Sequence, residues 1–111
     1  MRVIWDPKAK EARTKVANYI RREFGAKRKT RFLQEVREMT QKLKHSPGIG
    51  QIDPLFADRA RTYRSVIING LNKLVYFVSD DILYIAGFWD TRCEPNEQRD
   101  QTIARIDSDE S

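Results

Sequence analysis

The stretch YRSVIINGLNKLVYFV, residues 63–78, most constrains the fold, because its pattern is typical of a β-hairpin. Two runs of β-branched and aromatic residues flank Asn69-Gly70, a dipeptide that favours tight hairpin turns. A third run, ILYIAGFW, follows the turn residues Asp80-Asp81. The sequence therefore predicts three consecutive antiparallel strands, at about 63–68, 73–79 and 82–89.

The segment before this block predicts a short strand followed by two helices. RVIW (2–5) has strand character, and Asp6-Pro7 is a favoured helix start, with a carboxylate N-cap and proline at the first helical position. Apolar residues then recur at helical spacing up to Phe24, and Gly25 ends that helix. A second helix is expected from about residue 27 to residue 45. The predicted order is β-α-α-β-β-β, an α+β domain with a helical hairpin packed on one face of a small, mainly antiparallel sheet.

The 111 residues suffice for one small domain. We expect that domain at 1–95, followed by a polar, acidic and flexible tail at 96–111. The N-terminal residues contain no apolar run typical of a signal peptide, and no segment predicts a membrane span, so a soluble cytoplasmic protein is expected. The single cysteine, Cys93, excludes an internal disulfide.

Strand parity predicts that both faces of the sheet are apolar. A four-residue loop at 69–72 places one set of side chains under the helices: Tyr63, Ser65, Ile67, Leu74, Tyr76, Val78, Leu83 and Ile85. It places on the opposite face Arg64, Val66, Ile68, Lys73, Val75, Phe77, Ile82, Tyr84, Ala86 and Phe88. A two-residue turn would shift this pairing by one step. The second apolar face needs a cover, for which the chain's own tail, a second copy in a homodimer, and a partner protein are all candidates.

Charge is distributed unevenly along the chain. Residues 1–44 carry 14 Lys/Arg and 5 Asp/Glu, a net charge of +9, whereas residues 45–111 carry 7 and 11, a net charge of −4. A basic half of this kind favours an anionic partner, either nucleic acid or an acidic protein segment. Its densest part is a candidate docking surface, and the alternative interpretation is a solvated helix surface. The residues are Arg21, Arg22, Lys27, Arg28, Lys29 and Arg31.

The chain resembles the RelE/ParE superfamily, the toxins of bacterial type II toxin–antitoxin modules, and more closely its ParE branch. The resemblance covers about residues 2–95. It is carried by Trp5 at the end of the first strand, ANYI (17–20), Phe24-Gly25, SPGIG (46–50), YRSVIING (63–70), KLVYFV (73–78), DDILYIAGFWD (80–90) and Arg92.

The resemblance implies a compact toxin whose open sheet face and helical hairpin are wrapped by an acidic cognate antitoxin. It implies DNA gyrase as the target of a ParE-like member, and the ribosome with its mRNA as the target of a RelE-like member. With the parity above, the expected contact residues are Arg64, Val66, Ile68, Lys73, Phe77, Tyr84, Phe88 and Arg92.

The resemblance leaves the catalytic question open and favours a non-enzymatic inhibitor. RNA cleavage at a 2′-OH needs a proton acceptor, a proton donor and cations for the phosphate. Ribonuclease members place an arginine late in the second strand, where this chain has Ile68, and no Tyr or His follows Arg92. A RelE-like endonuclease would have to rely on Arg64, Lys73 and Arg92, and it remains the alternative. A domain that only binds protein or nucleic acid, without toxicity, is a third.

No other constellation in the sequence indicates catalysis or a cofactor. His45, the only histidine, closes the second predicted helix, where the helix dipole favours a cation. Cys93 has no histidine base near it in the sequence. No His, Cys and carboxylate set has metal-ligand spacing, and no glycine-rich phosphate loop is present, so neither a metal nor a cofactor is expected.

Overall fold

The computed structural model describes residues 1–92 and 95–110, with side chains described as far as Ile106. Its helices and strands follow one another in the predicted order, with a short strand and a third helix in addition. They are β1 (Arg2–Trp5), α1 (Pro7–Phe24), α2 (Ala26–His45), β2 (Gln51–Ile52), β3 (Arg64–Ile68), β4 (Asn72–Ser79), β5 (Ile82–Asp90) and α3 (Pro95–Glu110). Short 3₁₀ turns at Pro47–Ile49 and Pro54–Phe56 flank β2.

The five strands form one mixed sheet in the order β1-β5-β4-β3-β2. β1 runs parallel to β5, and every other neighbouring pair is antiparallel. The predicted α+β class and the helical hairpin on the sheet are therefore confirmed. The first and last strands of the predicted domain lie side by side, so the first strand is placed by residues about 80 positions later in the chain.

Local chemistry sets the ends of the helical hairpin. Asp6 caps α1 by accepting a hydrogen bond from the backbone N–H of Lys8, at 3.0 Å, and proline follows it at the first helical position. Gly25 separates the helices with φ +98°, a backbone conformation that side chains with a Cβ rarely adopt, and its N–H donates to the carbonyl of Arg21. The turn is thus a single residue long, which holds α1 and α2 close together as an antiparallel pair.

The helices bury one face of the sheet. Leu43 of α2 and Leu74, Tyr76, Leu83 and Ile85 of the sheet are fully enclosed. We call this set, with its neighbours, the helix-side core: Ala9, Ala17, Phe32, Val36, Leu43, Ile68, Leu74, Tyr76, Leu83, Ile85 and Phe88. The parity predicted for β4 and for the first half of β5 is therefore correct.

The face predicted for β3 is wrong by one residue. The loop between β3 and β4 has three residues, because Ile68 pairs with Asn72, and Asn69 and Gly70 both adopt positive φ. Each side chain of β3 consequently points to the face opposite the one predicted from a four-residue loop. Arg64, Val66 and Ile68 lie on the helix side, while Tyr63, Ser65 and Ile67 lie on the other side.

A bulge in β5 reverses a second assignment. Val75 pairs with Gly87 and Tyr76 with Ile85, which leaves Ala86 as an extra residue. Phe88, predicted on the outer face, is thereby turned into the helix-side core, and Trp89 is turned outward.

The segment expected to be a flexible tail instead forms most of α3, which lies over the outer face of the sheet. Thr102 and Ile106 of this helix are buried. Ile106 belongs to a second group of buried residues, and Ile103 packs against that group. We call this group the outer core: Phe56, Tyr63, Val75, Phe77, Ala86, Trp89 and Ile106. Of the three covers considered for the second apolar face, the chain's own C-terminal segment is the one seen.

Two arginines of α3 fasten it to the rest of the chain. Arg105 Nε donates to the buried Asp6 Oδ2 at 3.0 Å, and its Nη2 donates to the carbonyl of Ala86 at 3.2 Å. Arg99 donates to the carbonyl of Leu55 and forms a salt bridge of 2.6 Å with Asp58. Since these contacts reach both the β1–α1 junction and the loop before β3, α3 is anchored at two places along its length.

Candidate functional site

The three cations considered for phosphate binding are not gathered at one place. Arg64 lies opposite Tyr76 in the β3–β4 ladder, and Lys73 lies opposite Ile67. Because residues 64 and 67 are an odd number of positions apart on one strand, Arg64 and Lys73 point to opposite faces of the sheet. They therefore cannot share one phosphate from their strand positions.

Arg64 is used to hold the loop between α2 and β3. Its Nη1 donates to the carbonyl of Gly50 at 2.8 Å. The N–H of Gly50 donates to the Tyr76 hydroxyl at 3.0 Å, and that hydroxyl donates to the carbonyl of Pro47 at 2.6 Å. Burial raises the pKa of Tyr76, so this phenol stays protonated and holds the loop as a donor.

Lys73 forms a buried ion pair. Its ammonium lies 2.7 Å from Asp53 Oδ2, and the Asp53 side chain is only 1% exposed. The other carboxylate oxygen of Asp53 accepts from the N–H of Leu55 and so caps the 3₁₀ turn Pro54–Phe56. The charge of Lys73 is consequently compensated within the chain, and its role in the fold is to fix the loop over the outer face.

Arg92 is the only one of the three cations that is largely exposed. Its guanidinium makes a two-pronged contact with Asp90, with Nε donating to Oδ1 at 2.9 Å and Nη2 donating to Oδ2 at 2.7 Å. These side-chain hydrogen bonds, with one from the Arg92 N–H, lower the pKa of Asp90 to about 2. Asp90 therefore remains ionised at neutral pH and holds Arg92 beside the β3–β4 loop.

The apolar residues predicted to contact a partner are mostly enclosed. Ile68 and Phe88 are buried in the helix-side core, and Val66 packs against it. Phe77 and Tyr84 stack on each other in the outer core, at 5.1 Å between ring centroids, and the Tyr84 hydroxyl donates to Asp6. In this structure α3 and the helical hairpin occupy the positions that the prediction assigned to a partner.

An exposed apolar groove instead lies at the tip of the helical hairpin. It has a volume of about 560 Å³ and lies between the end of α1, the start of α2 and the β3–β4 loop. Tyr19, Phe24 and Leu71, about half exposed, are its most accessible apolar residues. The full lining of this hairpin-tip groove is Lys15, Val16, Tyr19, Ile20, Phe24, Arg28, Asn69, Leu71, Asn72, Asp90 and Arg92.

Two arginines of the basic surface predicted from the sequence, Arg22 and Arg28, border this groove. Tyr19 and Phe24 meet edge to face, with ring centroids 6.5 Å apart. The guanidinium of Arg22 lies 5.8 Å from the Tyr19 ring, and that of Arg28 lies 5.4 Å from the Phe24 ring. Two of the cations that line the groove form ion pairs: Lys15 with Glu11, and Arg92 with Asp90. The result is an apolar groove with a basic rim rather than a purely cationic one.

A second exposed apolar surface follows the β2 edge of the sheet. β2 pairs only with Arg64 and Ser65, so the described residues provide no ladder partner on that edge for the rest of β3. Three isoleucines are about half exposed or more there, and we call them the edge patch: Ile49, Ile52 and Ile67. An unpaired strand edge with apolar side chains is a surface on which another chain can add a strand.

Sequence reasoning missed the hairpin-tip groove because it assigned Phe24 to the buried stripe of α1. The available signal was the spacing of aromatic and basic residues, since Tyr19 is followed by Arg22 and Phe24 by Arg28. Tyr19 and Arg22 are three residues apart on α1, close enough for the guanidinium to reach the ring. Phe24 and Arg28 lie on either side of the Gly25 turn, so helical spacing does not predict their contact. The edge patch has no comparable signal, because it depends on how far β2 extends.

Other site classes receive no support from the described residues. Within 1–92 and 95–110, no three His, Cys, Asp or Glu side chains converge as a metal site would require. No helix in the part of the chain that the structure describes combines the length and apolar character needed to cross a membrane. Cys93, considered above as a lone thiol, lies outside the described residues.

The chain matches the model of a known family. Residues 3–95 match the family model described as the ParE toxin of the type II toxin–antitoxin system parDE. No curated protein is similar enough to the chain to count as a match. The matched range ends where α3 begins.

Proposed function

The chain belongs to the ParE toxin family of type II toxin–antitoxin systems, and from that premise we propose that it stops growth by binding DNA gyrase without cleaving a substrate. We further propose that an acidic antitoxin neutralises it by occupying the hairpin-tip groove. The alternatives are the ribosome-dependent mRNA endonuclease and the non-toxic binding domain.

The observation that carries the binding mechanism is the separation of Arg64 and Lys73 onto opposite sheet faces. Transfer of a phosphoryl group needs cations and proton-transfer groups within hydrogen-bond reach of the same reacting atoms. Here Arg64 is bonded to Gly50, Lys73 is paired with Asp53, and Arg92 is held by Asp90. Each cation has a structural partner, which supports a toxin that acts through its surface.

The hairpin-tip groove is the surface best suited to an antitoxin segment. Tight protein interfaces centre on aromatic and arginine side chains that become fully desolvated. Tyr19 and Phe24 with the flanking Arg22 and Arg28 supply that combination, and the groove between them admits apolar side chains. The basic rim attracts carboxylates on the opposite face of the same segment, so an acidic amphipathic helix fits both parts.

The edge patch offers a second contact for the same partner. A strand of the antitoxin added along β3 would satisfy its open edge and cover Ile52 and Ile67. With one segment at the tip and one at the edge, the antitoxin would wrap around the helical hairpin.

The decisive experiment compares two activities of the purified chain. Supercoiling of relaxed plasmid by DNA gyrase is measured with increasing toxin, and mRNA integrity is measured on translating ribosomes with the same preparation. We expect supercoiling to be inhibited while the message stays intact. Cleaved message with unaffected supercoiling would overturn the proposal in favour of the endonuclease. Growth that continues when the chain is expressed alone would overturn toxicity itself.

The groove assignment is tested with variants that keep the toxin folded. Tyr19→Asp and Phe24→Asp place a carboxylate on exposed positions, so they should leave the melting temperature within a few degrees of the original. Both should weaken antitoxin binding by 10-fold or more, because they replace an apolar anchor and repel an acidic segment. Binding is measured by titration, and rescue is measured by growth during co-expression with the small reading frame beside the gene.

Val78→Asp is the matched control. Val78 is 43% exposed and lies outside the hairpin-tip groove. It should leave antitoxin binding unchanged. Equal loss of binding in Val78→Asp and Phe24→Asp would show that the groove is not the docking surface.

A further inference from the structure

A second groove lies at the other end of the helical hairpin, where α1, the C-terminal half of α2 and β1 meet. Its volume is about 570 Å³. Arg13, Arg37 and Lys44 supply its cations, and Trp5, Leu33 and Val36 form its floor. We call it the interhelix groove. Neither the family match nor the proposed antitoxin contact gives it a role.

The interhelix groove is cationic, and no Asp or Glu side chain that the structure describes lines it. Among the described residues, none of its three cations is within salt-bridge distance of a carboxylate. In the hairpin-tip groove, by contrast, Lys15 and Arg92 each have an acidic partner. The two grooves therefore attract different kinds of ligand.

Arg13 is held in a partly desolvated position. Its guanidinium carbon lies 4.5 Å from the centroid of the Trp5 ring, and burial lowers the pKa of this arginine. A guanidinium stacked on an aromatic face keeps its N–H edge free for a planar oxyanion. Because the surroundings are less polar than bulk water, its attraction for an anion in the groove is also stronger than at the open surface.

The cations extend along α2. Arg37 and Lys44 are seven residues apart, which places them on the same face of the helix and about 10 Å apart along its axis. A single phosphate or carboxylate does not cover that length. The arrangement suits a chain of anions, with successive charges at successive cations.

The exposed apolar residues decide between a nucleic-acid backbone and an acidic protein segment. An amphipathic peptide gains most of its affinity from apolar anchors. None of the large apolar side chains that are most exposed in the described chain lines this groove: Tyr19, Phe24, Ile49, Ile52, Ile67, Leu71 and Val78. A phosphodiester backbone is bound by charge without such anchors, and arginine, lysine and glutamine are its usual contacts.

We infer that the interhelix groove binds the phosphate backbone of single-stranded nucleic acid through Arg13, Arg37 and Lys44. This activity is separate from the proposed inhibition of gyrase and does not depend on it. It also assigns three of the 14 cations of residues 1–44 to one specific site.

The test uses the full chain and a fluorescently labelled 20-nucleotide oligo-dT, with anisotropy measured from 50 to 300 mM KCl. The informative variant is Arg37→Gln/Lys44→Gln, because both residues lie at the helix surface and neither packs in the core. We expect its affinity at 100 mM KCl to fall about 10-fold. The slope of log K against log salt should become shallower by about 1.4, since each lost phosphate contact on a single strand contributes about 0.7.

Lys10→Gln/Lys42→Gln is the matched control, because it removes the same charge from exposed positions on α1 and α2, the helices that border the groove, without touching its lining. Its affinity should change by less than about 2-fold. An equal fall in both double variants, or no measurable binding by the original chain, would overturn the inference. Displacement of the oligonucleotide by poly-glutamate at equal charge concentration would overturn it too, by showing that the groove takes acidic protein.

Discussion

At the scale of single residues, the buried ion pair between Asp53 and Lys73 has a large expected effect on stability. The carboxylate is 1% exposed and the lysine 18% exposed, so their charges are poorly solvated and depend on each other. Both also fix the loop that covers the outer core.

Replacing Lys73 by methionine leaves the Asp53 carboxylate buried without its cation. We expect Lys73→Met to lower the free energy of unfolding by about 3 kcal/mol, measured by urea denaturation. Adding Asp53→Asn removes the stranded charge and should recover more than half of the loss. A double variant no more stable than Lys73→Met would show that the loss does not come from the stranded carboxylate.

Arg92 and Asp90 form the opposite case, an ion pair close to solvent. The folded pKa of Asp90 is about 2, below the value of about 3.9 for an unperturbed aspartate. Its contribution to stability is therefore complete above about pH 4 and is lost as the pH falls towards 2.

Arg92→Gln should raise the pKa of Asp90, but not fully to about 3.9, because the backbone N–H at position 92 still donates to the Asp90 carboxylate. The stability cost at pH 7 should stay below about 1 kcal/mol, since the pair is solvated. Carboxyl NMR titration measures the pKa, and urea unfolding at pH 7 and pH 2 measures stability. A cost that persists unchanged at pH 2 would contradict the assignment.

At the scale of elements, the loop between β3 and β4 sets which face each β3 side chain occupies. Gly70 adopts φ +70° there, and a Cβ at that position would meet no other atom within 4 Å. The backbone conformation, rather than space, is what requires glycine.

Gly70→Ala should destabilise the protein by about 1 kcal/mol through backbone strain alone. Gly48→Ala is the control, because Gly48 also has open space around it but no positive φ. It should be neutral or slightly stabilising. Both are measured as shifts in the thermal midpoint, and equal shifts would show that backbone conformation is not the cause.

The same elements show how far the sequence predicts the fold. Periodicity and caps locate α1, α2 and the three consecutive strands, because each pattern is local. The faces of β3 and of Phe88 depend on a loop one residue shorter than expected and on the bulge at Ala86, which composition does not reveal. α3 was missed because only Ile103 and Ile106 face the sheet, too few apolar positions to predict a buried helix from the sequence.

The candidate site is less predictable than the fold for a physical reason. Arg64 and Lys73 are attractive as functional residues in the sequence, but the ladder sends them to opposite faces. Tyr19 and Phe24 became candidates only when the structure left them exposed, since aromatic residues at helical spacing usually belong to a core.

At the scale of the whole molecule, the sheet lies between two unequal covers. α1 and α2 cover one face, whereas the other face is covered by the loop before β3 and by α3, which is fastened by Arg99 and Arg105. The family match ends at residue 95, so α3 after its first residue lies outside the matched range.

Deleting residues 95–111 tests whether that helix is part of the domain. Removal of α3 would expose Phe77 and Trp89 of the outer core. We expect the shortened chain to self-associate in size-exclusion chromatography and to lose 5 °C or more in thermal midpoint. A monomer of unchanged stability would instead support the sequence prediction of a flexible tail after a domain at 1–95.

The pairing of β1 with β5 has a consequence for the time at which the protein becomes active. Arg2 pairs with Ile82, and Trp5 pairs with Ile85. During translation β1 therefore has no strand partner until β5 has been made. At about 5–20 residues per second, the helical hairpin exists for several seconds of translation before the sheet can close. A nascent chain therefore lacks its finished surface until β5 has been made, and a short delay separates the synthesis of β1 from the closing of the sheet.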